Sequence, residues 1–270
     1  MTTQATTRFT NQLHTMKTQN QKGFIPFTLL GWPNADISFE IIKTMIDSGA
    51  TGLELGIAFS DPLADGPVLQ AAAVETLATG FDVDQAFILL QKVRAYNQDI
   101  PIGLMVYFNM ILARGVDQFF KDAADAGVDG ILIVDLPPEG AEEVTAAAKT
   151  SGIDLIFIVS PLTTDERLQT ILKHANGYLY VVSRLGITGT DNTHDTQLQD
   201  LLTRIKAQTD LPLYVGFGVS TPEDAQKMIA AGADGVITGS RIIQLVQDQP
   251  NSSPQQVLET YLQSMCNLSE

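Results

Sequence analysis

The chain has 270 residues, 44% of them hydrophobic, with one cysteine and a formal net charge of −15. That apolar content supports a sizeable core without disulfides or metal, and the acidity argues against nucleic acid and anionic membrane surfaces as partners. No apolar run reaches a membrane span, and the polar, Thr-rich start (Met1 to Thr10) lacks the apolar segment of a signal peptide, so a soluble cytoplasmic protein is expected.

Taken in order, Arg8–Met16 reads as an extra N-terminal helix placed to plug the bottom of a barrel. Eight strands are predicted next: Phe24–Leu30, Gly52–Ile57, Ile102–Tyr107, Gly130–Asp135, Asp154–Ser160, Gly177–Ser183, Leu213–Gly216 and Gly235–Thr238. Helical patterns between them include Ile37–Asp47, Val83–Tyr96, Val116–Ala126, Asp165–His174, Leu198–Gln208 and Pro222–Ala231. Thr221 before Pro222 is a good N-cap with proline at the first helical position. Thr188–Thr196, with Gly189, Asp191 and Asn192, has the composition of a mobile loop.

One phrase punctuates the chain: Ser48-Gly49-Ala50-Thr51-Gly52, Ala126-Gly127-Val128-Asp129-Gly130, Ser151-Gly152-Ile153-Asp154 and Ala231-Gly232-Ala233-Asp234-Gly235. Each time glycine follows a helical stretch where a left-handed cap is needed, and a short apolar run suited to a strand buried on both faces follows. Alternating units in this number predict an α/β fold, one (β/α)8 barrel spanning residues 1–270 as a single domain. The alternative, a doubly wound open sheet, lacks the Gly-x-Gly-x-x-Gly turn a dinucleotide fold needs after its first strand.

Two carboxylates stand out. In the strand around Glu54, Leu53 and Leu55 share one face while Glu54 lies on the other with Gly52 and Gly56. With the leucines toward the helices, Glu54 points into the barrel, where burial raises its pKa and suits it to giving and taking a proton. Asp65 lies eleven residues on, in a loop ahead of Gly66-Pro67, a helix start. In that more polar setting it is expected to stay ionised and hold an N–H or a developing positive charge. The competing reading makes Glu54 a structural acid and Asp65 an N-cap; a glycosidase pair is a further alternative. Asp61, in Ser60-Asp61-Pro62, reads as turn chemistry.

Gly216-Phe217-Gly218 follows the seventh strand and Gly239-Ser240 the eighth, the two loops that build phosphate sites in many barrels. Glycine admits close backbone approach, Ser240 adds a hydroxyl, and the helix over Arg241–Val246 offers unpaired N–H groups. Gly189 is a candidate third contact. His14, His174 and His194 suggest no metal site, Lys43, Lys92, Lys121 and Lys227 fall on helices rather than at strand ends, and no Ser-His-acid or Cys-His set is apparent. An acid–base lyase or isomerase acting on a small phosphorylated substrate is therefore expected.

The segment Glu54-Leu55-Gly56-Ile57-Ala58-Phe59-Ser60-Asp61-Pro62-Leu63-Ala64-Asp65-Gly66-Pro67 resembles the signature of tryptophan synthase α subunits. Gly103–Asn109, Asp135-Leu136-Pro137, Ser183–Gly189, Gly216-Phe217-Gly218 and Gly239-Ser240 extend the resemblance over about Phe24 to Val246. It implies cleavage of indole-3-glycerol phosphate to indole and glyceraldehyde 3-phosphate, with Glu54 protonating the indole carbon and Asp65 holding the indole N–H. It further implies an indole pocket lined by Phe27, Met105 and Tyr180, a phosphate site of Gly189, Phe217, Gly218, Gly239 and Ser240, and Thr188 orienting Asp65. The chain itself would need no cofactor; pyridoxal phosphate is expected only in a β subunit, met as an α2β2 heterotetramer through loop 58–65, Asn109, Asp135 and Pro137. Ala58 stands where such proteins commonly have proline, which adds about 0.4–1 kcal/mol to the ordering of the loop and predicts weaker closure or docking. Trp32 and the stretch 190–196 also depart from the pattern. A non-catalytic allosteric partner and a stand-alone indole-forming lyase are the remaining alternatives.

Overall fold

The computed structural model describes residues 7–182 and 193–268, with side chains omitted for 193–196. Helix α1 (Arg8–Thr18) is capped by Thr7, whose hydroxyl accepts from the Thr10 N–H. Strand β1 (Gly23–Leu29) leads to α2 (Ala35–Asp47), and β2 (Leu53–Gly56) to α3 (Pro67–Ala78) and α4 (Val83–Tyr96). Strand β3 (Ile102–Val106) precedes α5 (Phe108–Arg114) and α6 (Val116–Asp125); β4 (Gly130–Ile133) precedes a 3-10 turn and α7 (Glu142–Ser151). Then come β5 (Asp154–Val159), α8 (Asp165–Leu172), β6 (Leu179–Val182), α9 (Thr193–Lys206), β7 (Leu213–Gly216) and α10 (Pro222–Ala230). The chain finishes with β8 (Gly235–Thr238), α11 (Ser240–Asp248) and α12 (Pro254–Cys266).

All eight strands pair in parallel and in sequence order, and β1 closes the barrel on β8 with Gly23 opposite Gly235. The fold is the expected (β/α)8 barrel with its extra N-terminal helix. Local chemistry explains the element ends. Asp82 and Gln85 form a reciprocal capping box on α4, and Thr221 and Asp224 form one on α10 behind Pro222. Gly152 takes the left-handed conformation that ends α7. Most boundaries shift by a residue or two from expectation, and two of the differences have a clear local cause or extent. Strand β6 begins at Leu179 rather than Gly177, because Gly177 has φ +70° and turns the chain before pairing starts. Thr193–Thr196, expected as loop, is the first turn of α9.

Alternation divides the strand side chains between two cores. Outward residues such as Leu53, Leu55, Val181 and Val236 pack under the helices. Inward residues Ile25, Leu132, Ile156, Tyr178, Tyr180, Tyr214 and Ile237 fill the barrel, joined from below by Phe9 and Leu13 of α1. The fit of the plug requires small residues at the strand starts: a Cβ on Gly52 would lie 2.9 Å from the Phe9 ring, and one on Gly235 2.2 Å from the Tyr214 ring. Burying such side chains is worth about 1.5–3 kcal/mol each.

The aspartates of the repeated phrase tie the bottom together. Asp129 accepts from the Ile102 N–H at the start of β3 (2.9 Å) and pairs with Arg94 of α4 (2.8 Å) and Arg8 of α1 (2.9 Å). Half a barrel away, Asp234 accepts from the Leu213 N–H at the start of β7 (2.9 Å) and pairs with Lys206 of α9 (3.1 Å). Asp154 takes hydrogen bonds from the hydroxyls of Thr7 and Thr10, which anchor the N-terminus of α1.

Candidate active site

The opposite end of the barrel is built differently. Glu54 sits in β2 between Phe27 on β1 and Gly103 on β3, and its side chain points into the barrel, 2% exposed. The Tyr178 hydroxyl donates to its Oε1 at 3.2 Å, and among the described residues no Lys or Arg pairs with it. Burial pushes this carboxyl up from its ordinary 4.5 to about 8, with the tyrosine bond pulling weakly the other way.

Asp65 lies at the end of the loop that leaves β2, half-buried at the mouth. It does not cap α3: that position belongs to Gly66, which makes no side-chain cap bond, so the N-cap reading of Asp65 fails. Its backbone carbonyl accepts from the Gln70 side chain (2.8 Å), leaving the carboxylate for other contacts. Burial raises it too, to about 6, with the nearby Tyr107 hydroxyl pulling the other way. Asp65 thus stays mainly ionised at neutral pH, as expected, although the setting is less polar than its loop sequence suggested, because the loop lies against Tyr107 and the cavity. The two acids still straddle neutrality, one mainly protonated and the other mainly ionised at pH 7.

Both line one cavity of about 130 Å³. Phe27, Met105, Leu132, Tyr180 and Ile237 make its apolar wall; Phe217, Gly218, Gly239 and Ser240 close the far side. Every site residue expected from sequence and described in the structure therefore faces this space; Thr188 and Gly189 lie outside the described residues.

The far side has the geometry of an anion cradle. Gly218 has φ +76°, and Phe217 before it has φ +65°, a left-handed conformation costing a non-glycine residue about 1–2 kcal/mol. That turn sets the Phe217 ring edge-on to Tyr180, centroids 6.1 Å apart. Gly216 cannot carry a side chain, since its Cβ would lie 2.0 Å from the Tyr180 hydroxyl oxygen. Helix α11 starts at Ser240 with Gly239 as N-cap and no side-chain cap bond, so its first N–H groups and the positive end of its dipole are offered to the cavity. The Thr238 hydroxyl donates to the Val219 carbonyl at 2.6 Å and locks the two glycine loops together.

Sequence reasoning missed Tyr178, Tyr107, Ser220 and Arg241, all at or beside the cavity. Tyr178 carried a signal: it stands two residues before Tyr180 and so shares its inward face. Among the described residues no group of three or more His, Cys, Asp or Glu side chains is placed to hold a metal ion, and no helix is long and apolar enough to cross a membrane. His174 packs, with Nδ1 2.9 Å from the Thr145 hydroxyl, and Asp61 is held by the Ser60 hydroxyl at 2.6 Å.

Known proteins agree with this geometry. The family model described as tryptophan synthase alpha chain matches residues 13–269. The tryptophan synthase alpha chain of Methanoregula boonei is 47% identical over 229 residues, 85% of this chain and 86% of its own. That of Methanothermobacter thermautotrophicus is 47% identical over 223 residues, covering 83% and 82%. The crystal structure of tryptophan synthase subunit alpha from Legionella pneumophila superposes with a TM-score of 0.89 at 36% identity, covering 97% of this chain and 98% of that one. A chain of the Pyrococcus furiosus tryptophan synthase complex superposes with a TM-score of 0.82 at 33% identity, covering 91% and 98%. This chain belongs to the tryptophan synthase alpha chain family, the lyase component of tryptophan biosynthesis.

Proposed function

We propose that Glu54 and Asp65 divide the acid–base work of a cofactor-free retro-aldol cleavage of indole-3-glycerol phosphate. The observation that carries this reading is their placement: two carboxyls of unlike protonation in one cavity, facing an anion cradle. Protonated Glu54 gives its proton to the indole carbon that bears the glycerol chain. The positive charge that develops on the ring nitrogen is met by ionised Asp65, which accepts the N–H. Glu54, now a carboxylate, takes the proton from the adjacent glycerol hydroxyl. The carbon–carbon bond breaks, its electrons return to the ring, and indole and glyceraldehyde 3-phosphate leave with Glu54 protonated again.

Phe27, Met105 and Tyr180 sandwich the indole, and Phe217, Gly218, Gly239 and Ser240 bind the phosphate, with Thr188 and Gly189 completing the site. Neutral N–H groups suit this task in an acidic protein, because they hold an anion without a compensating surface charge. The whole chain works as one barrel domain in the cytoplasm.

A β subunit carrying pyridoxal phosphate consumes the indole, in an α2β2 assembly. The Pyrococcus relative is part of a tryptophan synthase complex. Support within this chain comes from an open groove of about 1040 Å³ at the mouth, lined by Ala58, Phe59, Asn109 and Leu112. Leu63, in the same loop as Ala58 and Phe59, is 91% exposed, an apolar side chain suited to burial in a partner.

The test is cleavage of indole-3-glycerol phosphate by the purified chain, with and without a tryptophan synthase β subunit. Slow turnover that rises sharply with β is expected. Fast turnover alone makes the chain an independent indole producer, and no turnover in either condition makes it a non-catalytic partner.

A further inference from the structure

The loop between β2 and α3 carries Asp65, yet it is held to the barrel by little. Among the described residues, the hydrogen bond that ties positions 58–64 to the rest of the molecule runs from the Ala64 N–H to the Tyr107 hydroxyl oxygen, at 3.1 Å. The loop's other hydrogen bonds are internal: Leu63 N–H to the Asp61 carbonyl, Asp65 N–H to the Pro62 carbonyl and the Ser60 hydroxyl to the Asp61 carboxylate. Tyr107 is 4% exposed, at the end of β3 and the N-cap of α5, so its own position is fixed by the sheet and by packing. Its ring stacks on Phe59 of the same loop, centroids 5.0 Å apart and planes 22° from parallel.

We propose that Tyr107 is the positioning residue of the catalytic loop: one side chain grips it at Phe59 through its ring and at Ala64, the neighbour of Asp65, through its hydroxyl. The inference rests on the assignment of Asp65 as the group that meets the indole N–H. The hydroxyl accepts from Ala64 and keeps its own proton, and its nearness to Asp65 favours the ionised carboxylate. The grip therefore fixes where the acid points and keeps it charged. Around the Tyr107–Asp65 pair the other titratable or charged groups are Glu54 on β2, Asp135 after β4, Tyr180 on β6, Asp61 in the loop and Arg241 at the start of α11.

The experiment is the pH dependence of kcat/KM for the full chain carrying Tyr107→Phe, with Phe59→Leu and Asp65→Asn alongside. Tyr107→Phe keeps the ring stack and removes the hydroxyl. It is expected to lower kcat/KM by about 10- to 100-fold at pH 7 and to move the acid limb of the profile upward. Phe59→Leu loses the stack but keeps the hydroxyl, and is expected to leave the acid limb in place. A Tyr107→Phe enzyme with the parent acid limb and kcat/KM overturns the proposal, as does an equal shift in Phe59→Leu. Asp65→Asn separates the two failures. If it retains turnover the assignment of Asp65 is wrong; if it is inactive while Tyr107→Phe behaves as the parent, only the role of Tyr107 is.

Discussion

The two ends of this barrel bury carboxylates in opposite ways. At the bottom Asp129 is sealed between two arginines and a backbone N–H, and Asp234 between a lysine and a backbone N–H. At the mouth Glu54 is buried just as deeply with a single tyrosine hydroxyl for company, and Asp65 leans on another. A buried carboxylate with cations and amides around it holds strands in register. One without them keeps its proton at neutral pH and can pass it on. The lesson is that partners, rather than burial, separate an acid that ties the fold from an acid that reacts. Asp154 marks the boundary case: burial raises its carboxyl, but hydroxyls at the N-terminus of α1 absorb it into the frame.

Substitutions can break this contrast at either end. The largest effect is expected from Glu54→Gln, which removes the proton donor and acceptor and should lower kcat by roughly 10²–10⁴-fold, with phosphate-ligand binding retained in calorimetry. The same change should strengthen the fold at high pH. Native Glu54 keeps a proton that the unfolded chain releases, so stability falls as pH rises from 4.5 to about 8. That penalty is on the order of 5 kcal/mol by pH 9, and thermal melts should show Glu54→Gln gaining on the parent at pH 9 but not at pH 4. Equal melting of both proteins at pH 9 would place Glu54 among the ordinary acids.

Asp65→Asn keeps the shape but not the charge that meets the indole cation, and a loss of about 10²–10³-fold in kcat is expected. At the bottom the expected effect changes kind. Asp129→Ala takes the carboxylate partner from the buried Arg94 guanidinium and should cost about 3–5 kcal/mol in denaturant unfolding, while kcat of the folded enzyme stays at the parent value. A fall in kcat there would mean that the two ends are not separable. The smallest effect belongs to Ser240→Ala. It removes one hydroxyl from a cradle built mostly of backbone, so KM should rise about fivefold with kcat unchanged.

Much of this was legible beforehand because it follows from local rules. The left-handed glycine, the apolar run and the period of two located the strands and turned Glu54 inward. What escaped depends on barrel closure. Asp129 and Asp234 were read as punctuation, since their partners Arg94 and Lys206 lie 35 and 28 residues away along the chain. Tyr178 and Tyr107 went unassigned, because a hydroxyl's partner is set by which strands meet across the barrel. Trp32, a departure from the expected pattern, is buried with its indole N–H donated to Glu75 of α3 at 2.7 Å, which pins the helix that follows Asp65. Ala58 is buried as well, so packing supplies part of the restraint that proline would.

The contrast between the two ends turns on the protonation of Glu54 at neutral pH. Carbon-13 NMR of carboxyl-labelled glutamate, taken as the difference between the parent and Glu54→Gln, reads it directly. A resonance that titrates with a midpoint near 8 is the predicted result. A midpoint near the ordinary 4.5 would mean that Glu54 is ionised at pH 7 and does not start the reaction as an acid.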